Sequence, residues 1–125
     1  MSKSQIVSIV DDDASVRAAM ESLVRSLGFV AFGFESAEDF LRSPRVDDSA
    51  CLITDVQMPG MSGLDLQDRL IAQGSEIPII FVTAFPEQTI RSRAQARGAL
   101  ACLEKPFGGE TMIELLRQSL AAQSR

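Results

Sequence analysis

Residues 51–63 read CLITDVQMPGMSG, and this stretch decides how the rest of the chain is interpreted. The short run at 51–54 is typical of a strand that is buried on both faces of a sheet. Asp55 follows the run directly, and Pro59, Gly60 and Gly63 predict a tight turn after it. Open α/β sheets place their chemistry beyond the carboxyl ends of their strands. Asp55 is therefore the first candidate functional residue.

The composition of the chain restricts the classes of protein to which it can belong. The chain has 125 residues, of which 46% are hydrophobic, and this is enough for one domain with one core. Its net charge of -5 argues against a nucleic-acid-binding face. No apolar stretch approaches the ~18 residues of a membrane span, and the N-terminus does not resemble a signal peptide. We therefore expect a soluble cytoplasmic protein.

Two residue types restrict the chemistry. The chain contains no histidine, which excludes histidine acid–base catalysis, histidine metal ligation and a Ser-His-Asp triad by this chain alone. Its two cysteines, Cys51 and Cys102, both lie in apolar runs. They predict small buried side chains in a reducing compartment and not a disulfide framework.

Apolar runs alternate with amphipathic segments along the whole chain. The pattern predicts strands at 6–10, 29–34, 51–54, 78–82 and 99–103, and helices at 14–27, 36–41, 63–72, 86–97 and 111–121. Residues 43–49 predict a polar loop, and Ile71 is a candidate inward residue beside Leu66 and Leu70. The alternation predicts a parallel sheet with helices on both faces. The helix at 86–97 contains few apolar residues, so we expect it to be lightly anchored and mobile.

The carboxyl ends of parallel strands lie along one edge, so the residues that follow each run are expected to meet. Those residues are Asp11, Asp12 and Asp13 after the first strand, Asp55 after the third, Thr83 after the fourth and Lys105 after the fifth. Neighbouring carboxylates repel each other and therefore favour a bound cation. Hard oxygen ligands without histidine or cysteine suit Mg²⁺.

The same set of residues suits phosphoryl transfer. A carboxylate held against Mg²⁺ can attack phosphorus and form an aspartyl phosphate. The metal, an ammonium such as Lys105 and a donor near Thr83 can then each receive one phosphoryl oxygen. Lysine supplies the compact point charge that this role requires.

Four sequence blocks carry a resemblance to a known family. They are IVDDD at 9–13, TDVQMPGMSG at 54–63, VTA at 82–84 and EKPF at 104–107. In order and spacing they resemble the receiver domain of two-component response regulators, most closely the subgroup that precedes helix-turn-helix transcription domains. The resemblance implies a single doubly wound (βα)5 flavodoxin-like domain with a five-stranded parallel sheet in the order 2-1-3-4-5. It implies one receiver domain over 1–125, with an ordered core at about 5–121 and no effector domain in this chain.

The resemblance also implies roles for the acidic residues. Asp55 would accept a phosphoryl group from a sensor histidine kinase or a phosphotransfer protein. Asp12 would ligate Mg²⁺ directly and Asp11 through water, while Asp55 and the backbone carbonyl of Gln57 would complete the protein ligands. Gln57 would also border the phosphoryl pocket.

The remaining implied roles concern the far side of the pocket. Lys105 would pair first with Asp55 and then with the phosphoryl group, and Thr83 would swing its hydroxyl onto a phosphoryl oxygen. Ala84 would leave room for that group. The family implies a cis peptide bond between Lys105 and Pro106, which is uncommon in general.

One position departs from the family pattern. Cys102 lies three residues before Lys105, where the family usually has an aromatic residue that moves with the threonine. Cys102 is too small for that rotation. The alternatives are that Phe85 or Phe107 takes the place of the aromatic residue, or that the helix at 86–97 moves instead. The expected output is a changed surface on this helix, the fifth strand and the last helix. That surface would control an output domain or a partner, and a phosphorylation-dependent homodimer could form through it.

Other classes of function stay open at this point. A receiver-like protein-binding module would share the sequence pattern without being regulated by phosphate. A small Mg²⁺-dependent phosphatase would require a second aspartate two residues after its nucleophile, where this chain has Gln57. A flavodoxin-like electron carrier would require a phosphate-binding loop after the first strand, where Asp11, Asp12 and Asp13 would repel phosphate. The leading interpretation is a switch that catalyses only its own phosphorylation and dephosphorylation and has no contact with nucleic acid or membrane.

Overall fold

The computed structural model describes residues 5–85 and 87–123, in which strands and helices alternate as the apolar pattern predicts. In chain order the elements are β1 (Ile6–Val10), α1 (Ala14–Ser26), β2 (Val30–Phe34), α2 (Ala37–Leu41), α3 (Arg45–Asp48), β3 (Cys51–Asp55), α4 (Gly63–Ala72), β4 (Ile79–Thr83), α5 (Gln88–Ala96), β5 (Ala101–Glu104) and α6 (Gly109–Gln123). All five predicted strands are present, with bounds that differ from the predicted ones by at most two residues.

The strands form one parallel sheet in the order β2-β1-β3-β4-β5, so the predicted order 2-1-3-4-5 is confirmed. Strands β3 and β4 lie inside the sheet and are buried at all five positions. Asp55 pairs with Val82, and Thr83 pairs with Glu104, so the strand ends that carry the candidate residues come level at one edge.

Helices cover both faces of the sheet, as predicted. On one face α1 and α6 pack on the sheet in an apolar cluster that includes Val7, Ile9, Met20, Val24, Met112 and Leu116. On the other face α2, α4 and α5 contribute to a second cluster that includes Val10, Phe40, Leu52, Leu66, Phe81 and Ala94. Burial of these side chains is the main source of stability for a domain of this size.

Two expectations about local structure were wrong. Residues 45–48 form the short helix α3 inside the predicted polar loop, because Pro44 is compatible with a helix start and Arg45 pairs with Asp48 at 3.0 Å. Ile71 is 45% exposed, whereas Leu70 is buried. Adjacent residues of a helix point about 100° apart, so both cannot face the same core.

Helix α5 is lightly anchored, as expected, since Ala94 is its one buried residue among those described. It begins at Gln88, and the predicted start at Pro86 lies outside the described residues. Helix α6 begins at Gly109, two residues before the predicted start. Within the part of the chain that the structure describes, no helix is both long and apolar enough to cross a bilayer.

Candidate functional site

Three of the four carboxylates expected at the carboxyl edge of the sheet meet there, whereas the fourth, Asp13, caps α1 instead. Asp55 ends β3 and is 8% exposed, Asp11 follows β1 and is fully buried, and Asp12 beside it is exposed. One ligand oxygen from each residue lies within 4.8 Å of the others. The donor set is hard oxygen only, and one member is open to solvent, which fits an ion such as Mg²⁺ that keeps part of its water shell.

Lys105 joins two of these carboxylates. Its ammonium Nζ lies 3.1 Å from Asp11 Oδ2 and 3.1 Å from Asp55 Oδ2, and it donates a hydrogen bond to each. The backbone N–H of Lys105 donates to the carbonyl of Thr83 at 2.8 Å, which continues the β4–β5 ladder into the site. The pairing with Asp55 follows the prediction, and the Lys105–Pro106 peptide bond is cis as the family implies.

Burial and charge act in opposite directions on this pair. Burial raises the pKa of Asp55, the Lys105 ammonium opposes that rise, and the nearby Asp11 charge adds to it. Burial alone would lower the pKa of Lys105, but its hydrogen bonds to Asp11 and Asp55 outweigh burial and raise it. Lys105 is therefore a cation at neutral pH. A partly desolvated carboxylate such as Asp55 also gains from any further cation nearby.

The loop after β3 is built directly on Asp55. The backbone N–H of Gln57 donates to Asp55 Oδ1 at 3.3 Å, and the N–H of Gly63 donates to the Val56 carbonyl at 2.8 Å. A Cβ at position 63 would overlap the backbone carbonyl of Asp55, so the first residue of α4 must be glycine. The Gln57 backbone carbonyl as a metal ligand stays a prediction.

The same loop is fixed from α2 by a residue that sequence reasoning missed. Glu38 Oε2 accepts a hydrogen bond from the Met61 N–H at 3.2 Å and lies over Gly60, whose φ is +78°. An L side chain is disfavoured in that left-handed conformation. No local pattern around Glu38 pointed to this contact, which depends on how α2 packs.

Thr83 and Ala84 lie where the strand pattern placed them. Thr83 is fully buried at the end of β4, and its hydroxyl accepts a hydrogen bond from the Phe85 N–H at 3.1 Å. Ala84 is exposed. A Thr83 hydroxyl that moved toward a phosphoryl group would have to release Phe85, and this movement stays a prediction.

Neither Phe85 nor Phe107 occupies the place of the aromatic residue that the family usually has at position 102. Cys102 is half-buried, pairs with Phe81 across the strands and packs against the α4 and α5 side of the sheet. Phe85 is 61% exposed, and Phe107 packs against the cluster on the opposite face. Movement of α5 stays a prediction. Arg91 of α5 donates to the Cys102 carbonyl at 3.4 Å.

Sequence reasoning also missed Arg17 of α1. Its Nη1 donates to the backbone carbonyl of Asp11 at 2.7 Å. Arg17 lies four residues after Asp13, the N-cap of α1, so it is one turn from the acidic loop. This spacing from Asp13 is the sequence feature that could have identified Arg17.

Comparison with known proteins agrees with this geometry. Residues 7–117 match the family described as the response regulator receiver domain. The chain is similar to nodulation protein W of Bradyrhizobium diazoefficiens, with 41% identity over 120 residues that cover 96% of this chain and 52% of that protein. It is similar to the response regulator protein TodT of Pseudomonas putida, with 39% identity over 118 residues that cover 94% of this chain and 52% of that protein. The chain thus spans about half the length of the curated relatives it matches.

A solved structure gives the same result for the fold. The crystal structure of FixJ-N superposes with a TM-score of 0.83 at 33% identity, and the match covers 94% of each chain.

Proposed function

Because the chain belongs to the family of response regulator receiver domains, we propose that it is a phosphorylation-controlled switch whose phosphoacceptor is Asp55. Receiver domains of this family are signalling switches and not classical enzymes. One observation carries the assignment to Asp55. Lys105 Nζ lies 3.1 Å from both the Asp55 and the Asp11 carboxylates, and of these two only the Asp55 side chain is partly exposed to a phosphoryl donor.

Each part of the site has a role in the proposed transfer. An Asp55 carboxylate oxygen attacks the phosphorus of a phosphohistidine, the P–N bond breaks and the imidazole leaves. Asp11, Asp12, Asp55 and the Gln57 carbonyl would hold Mg²⁺, which would neutralise charge on the transferred group. Lys105 would neutralise a second oxygen after it exchanges Asp55 for the phosphoryl group.

The response to phosphorylation would begin at Thr83. Its hydroxyl leaves the Phe85 N–H and donates to a phosphoryl oxygen, which alters the β4–α5 connection. Ala84, with only a methyl side chain, leaves room for the phosphoryl group. The changed surface would comprise α5, β5 and α6, and it would act on an output domain or a partner. We also propose that phosphorylation favours a homodimer through this surface.

The wider context of the domain is also part of the proposal. The phosphoryl donor would be a sensor histidine kinase or a phosphotransfer protein in the cytoplasm, where free thiols such as Cys51 and Cys102 persist. The receiver unit would span residues 1–125. Contact with DNA would belong to an output domain, and transcription would be the regulated process, as in the subgroup that the sequence resembles.

The test is phosphorylation by a small donor followed by intact-mass measurement. Incubation with acetyl phosphate and Mg²⁺ is expected to add one phosphoryl group to the wild type and none to Asp55→Asn. Asp47→Asn, which removes an exposed carboxylate of α3, is the matched control and should be phosphorylated like the wild type. An unmodified wild type with every donor would contradict the proposal and leave the protein-binding module. Continuous hydrolysis of small phosphate esters would instead favour the phosphatase.

A further inference from the structure

The backbone of Asp11 is held from two directions. Its N–H donates to the Phe34 carbonyl of β2 at 3.1 Å, and its carbonyl accepts from Arg17 Nη1 of α1 at 2.7 Å. Asp11 is fully buried, so its carbonyl requires a donor within the protein. The guanidinium of half-buried Arg17 supplies a charge-assisted hydrogen bond at that point.

The side chain of Asp11 also restrains the acidic loop at 11–13, through two hydrogen bonds. Its Oδ1 accepts from the Asp13 N–H at 2.9 Å, and its Oδ2 accepts from Lys105 Nζ at 3.1 Å. Asp12 lies between two residues that are both fixed in this way. Its exposed carboxylate reaches the cluster with Asp11 and Asp55 only if the loop keeps this shape.

A glycine on the neighbouring strand supports the same arrangement independently. A Cβ at Gly33 of β2 would overlap the Glu21 carboxylate and would lie 3.1 Å from Arg17 Cδ. Glycine inside a strand weakens it and often marks a close approach by another group. Gly33 thus leaves space for the Glu21 carboxylate and for the Arg17 side chain beside it.

We propose that Arg17 is a positioning residue for the metal site. It holds the loop at 11–13 so that Asp11 and Asp12 present their oxygens together with Asp55. This inference rests on the Mg²⁺ site of the proposed function. Two effects of Arg17 on cation binding have opposite signs, because its positive charge repels Mg²⁺ whereas its restraint of the loop favours Mg²⁺. Removal of the side chain therefore distinguishes them.

The experiment measures Mg²⁺ affinity by isothermal titration calorimetry, without any phosphoryl donor. Arg17→Met is expected to weaken binding about fivefold, because a charge-assisted hydrogen bond to a buried carbonyl is lost. Arg17→Lys should recover most of the affinity, since a lysine can donate to the same carbonyl. Arg25→Met is the matched control, because Arg25 also lies on α1 and donates to a β2 carbonyl, that of Ala31 at 3.3 Å, yet it has no bond to the loop. The Mg²⁺ affinity of Arg25→Met should equal that of the wild type.

Two further readouts separate positioning from general stability. Amide hydrogen exchange of the Asp13 N–H should be faster in Arg17→Met than in Arg25→Met. Gly33→Ala should weaken Mg²⁺ binding in the same direction but less, because the added Cβ displaces mainly the Glu21 carboxylate and moves Arg17 Cδ by only a few tenths of an ångström.

Unchanged or tighter Mg²⁺ binding by Arg17→Met would overturn the inference, as would the absence of Mg²⁺ binding by the wild type. Mg²⁺ binding that depends on Arg17, in a protein whose Asp55 takes no phosphoryl group, would refute the proposed function and leave the inference standing. The two proposals therefore fail in distinguishable ways.

Discussion

Two neighbouring strand–helix pairs are held in the protein very differently. We call β3 with α4 the β3–α4 unit, and α5 with β5 the α5–β5 unit. In the first, β3 is buried at all five positions, α4 buries five residues, and Ser62 and Asp65 form a capping box at the start of α4. In the second, no position of β5 is fully buried, α5 buries Ala94 alone, and Glu87 makes no side-chain capping bond. The proposed nucleophile thus belongs to the firmly packed unit, and two of the three elements of the proposed output surface, α5 and β5, form the loosely packed one.

Polar contacts join α4 to α5 beside their apolar packing. Gln67 Nε2 of α4 donates to the Ala94 carbonyl of α5 at 3.3 Å inside the core. On the surface Asp68 pairs with Arg93 at 2.6 Å and with Arg97 at 2.7 Å. Water can replace the surface ion pairs of Asp68, whereas it cannot replace apolar packing. A displacement of α5 therefore disturbs the core less than a displacement of α4 would.

Truncation of one apolar residue in each helix tests this contrast most strongly. Leu66→Ala should lower the free energy of unfolding by about 3 kcal/mol, because Leu66 is fully buried and the variant leaves a cavity. Ile90→Ala should cost only about 1 kcal/mol, because Ile90 is half-buried. Urea denaturation at pH 7 measures both values. Equal losses would show that α5 is as firmly packed as α4.

The thiols of β3 and β5 give a second test, through alkaline pH. Burial raises the pKa of the Cys51 thiol from its ordinary 9.0 to about 12. The unfolded chain therefore loses this proton first, and the native state loses stability as the pH rises above 9. By pH 10 the wild type should have lost about 1.4 kcal/mol through Cys51, and Cys51→Ala should not show this loss.

Lys105 does not interfere with that comparison, because its raised pKa means that its contribution is fully present below about pH 10.5. Cys102→Ala is the control on the loosely packed unit, where burial also raises the thiol pKa. Urea denaturation between pH 8 and pH 10 measures how the free energy of unfolding of each protein changes with pH. If the free energy of unfolding of Cys51→Ala fell with pH as steeply as that of the wild type, the loss would not come from the Cys51 thiol.

Replacement of the buried amide between the two units should have the smallest effect, and with the opposite sign. Among the described residues Gln67 Oε1 is buried without a hydrogen-bond partner. The Ala94 carbonyl keeps its bonds from the N–H groups of Arg97 and Ala99. Gln67→Met removes the unpaired acceptor and keeps the volume, so we expect a gain of about 1 kcal/mol in the free energy of unfolding. The Gln67→Ala variant, which leaves a cavity, should instead lose stability, and a loss in both variants would show that the amide stabilises the interface.

Much of the fold and site could be predicted because the strands are short apolar runs that each end at a polar residue. The shared edge of a parallel sheet then brought Asp11, Asp55 and Lys105 together without further information. Helix α3 could not be predicted in this way, because a four-residue segment with a single apolar side chain, Val46, carries no periodicity.

Side-chain contacts between distant elements were the other gap. The bond from Lys105 to Asp11, beside the predicted one to Asp55, depends on the relative position of three strands. Burial of Gln67 depends on the approach of α5 to α4, and a polar residue on a helix is normally assigned to the exposed face. The cis bond at Lys105–Pro106 came from the family resemblance and from no local signal.

The ammonium shared by Asp11 and Asp55 has a consequence for the electrical balance of the domain. With the three carboxylates ionised, the cluster and Lys105 together carry a formal charge of about minus two, which one divalent cation cancels. A bound phosphoryl group would return the assembly to a net negative charge. Phosphorylated Asp55 is no longer a carboxylate, so Lys105 would then lie between two anions, the Asp11 carboxylate and the phosphoryl group, and phosphorylation would transfer part of its charge from a carboxylate to a phosphoryl oxygen.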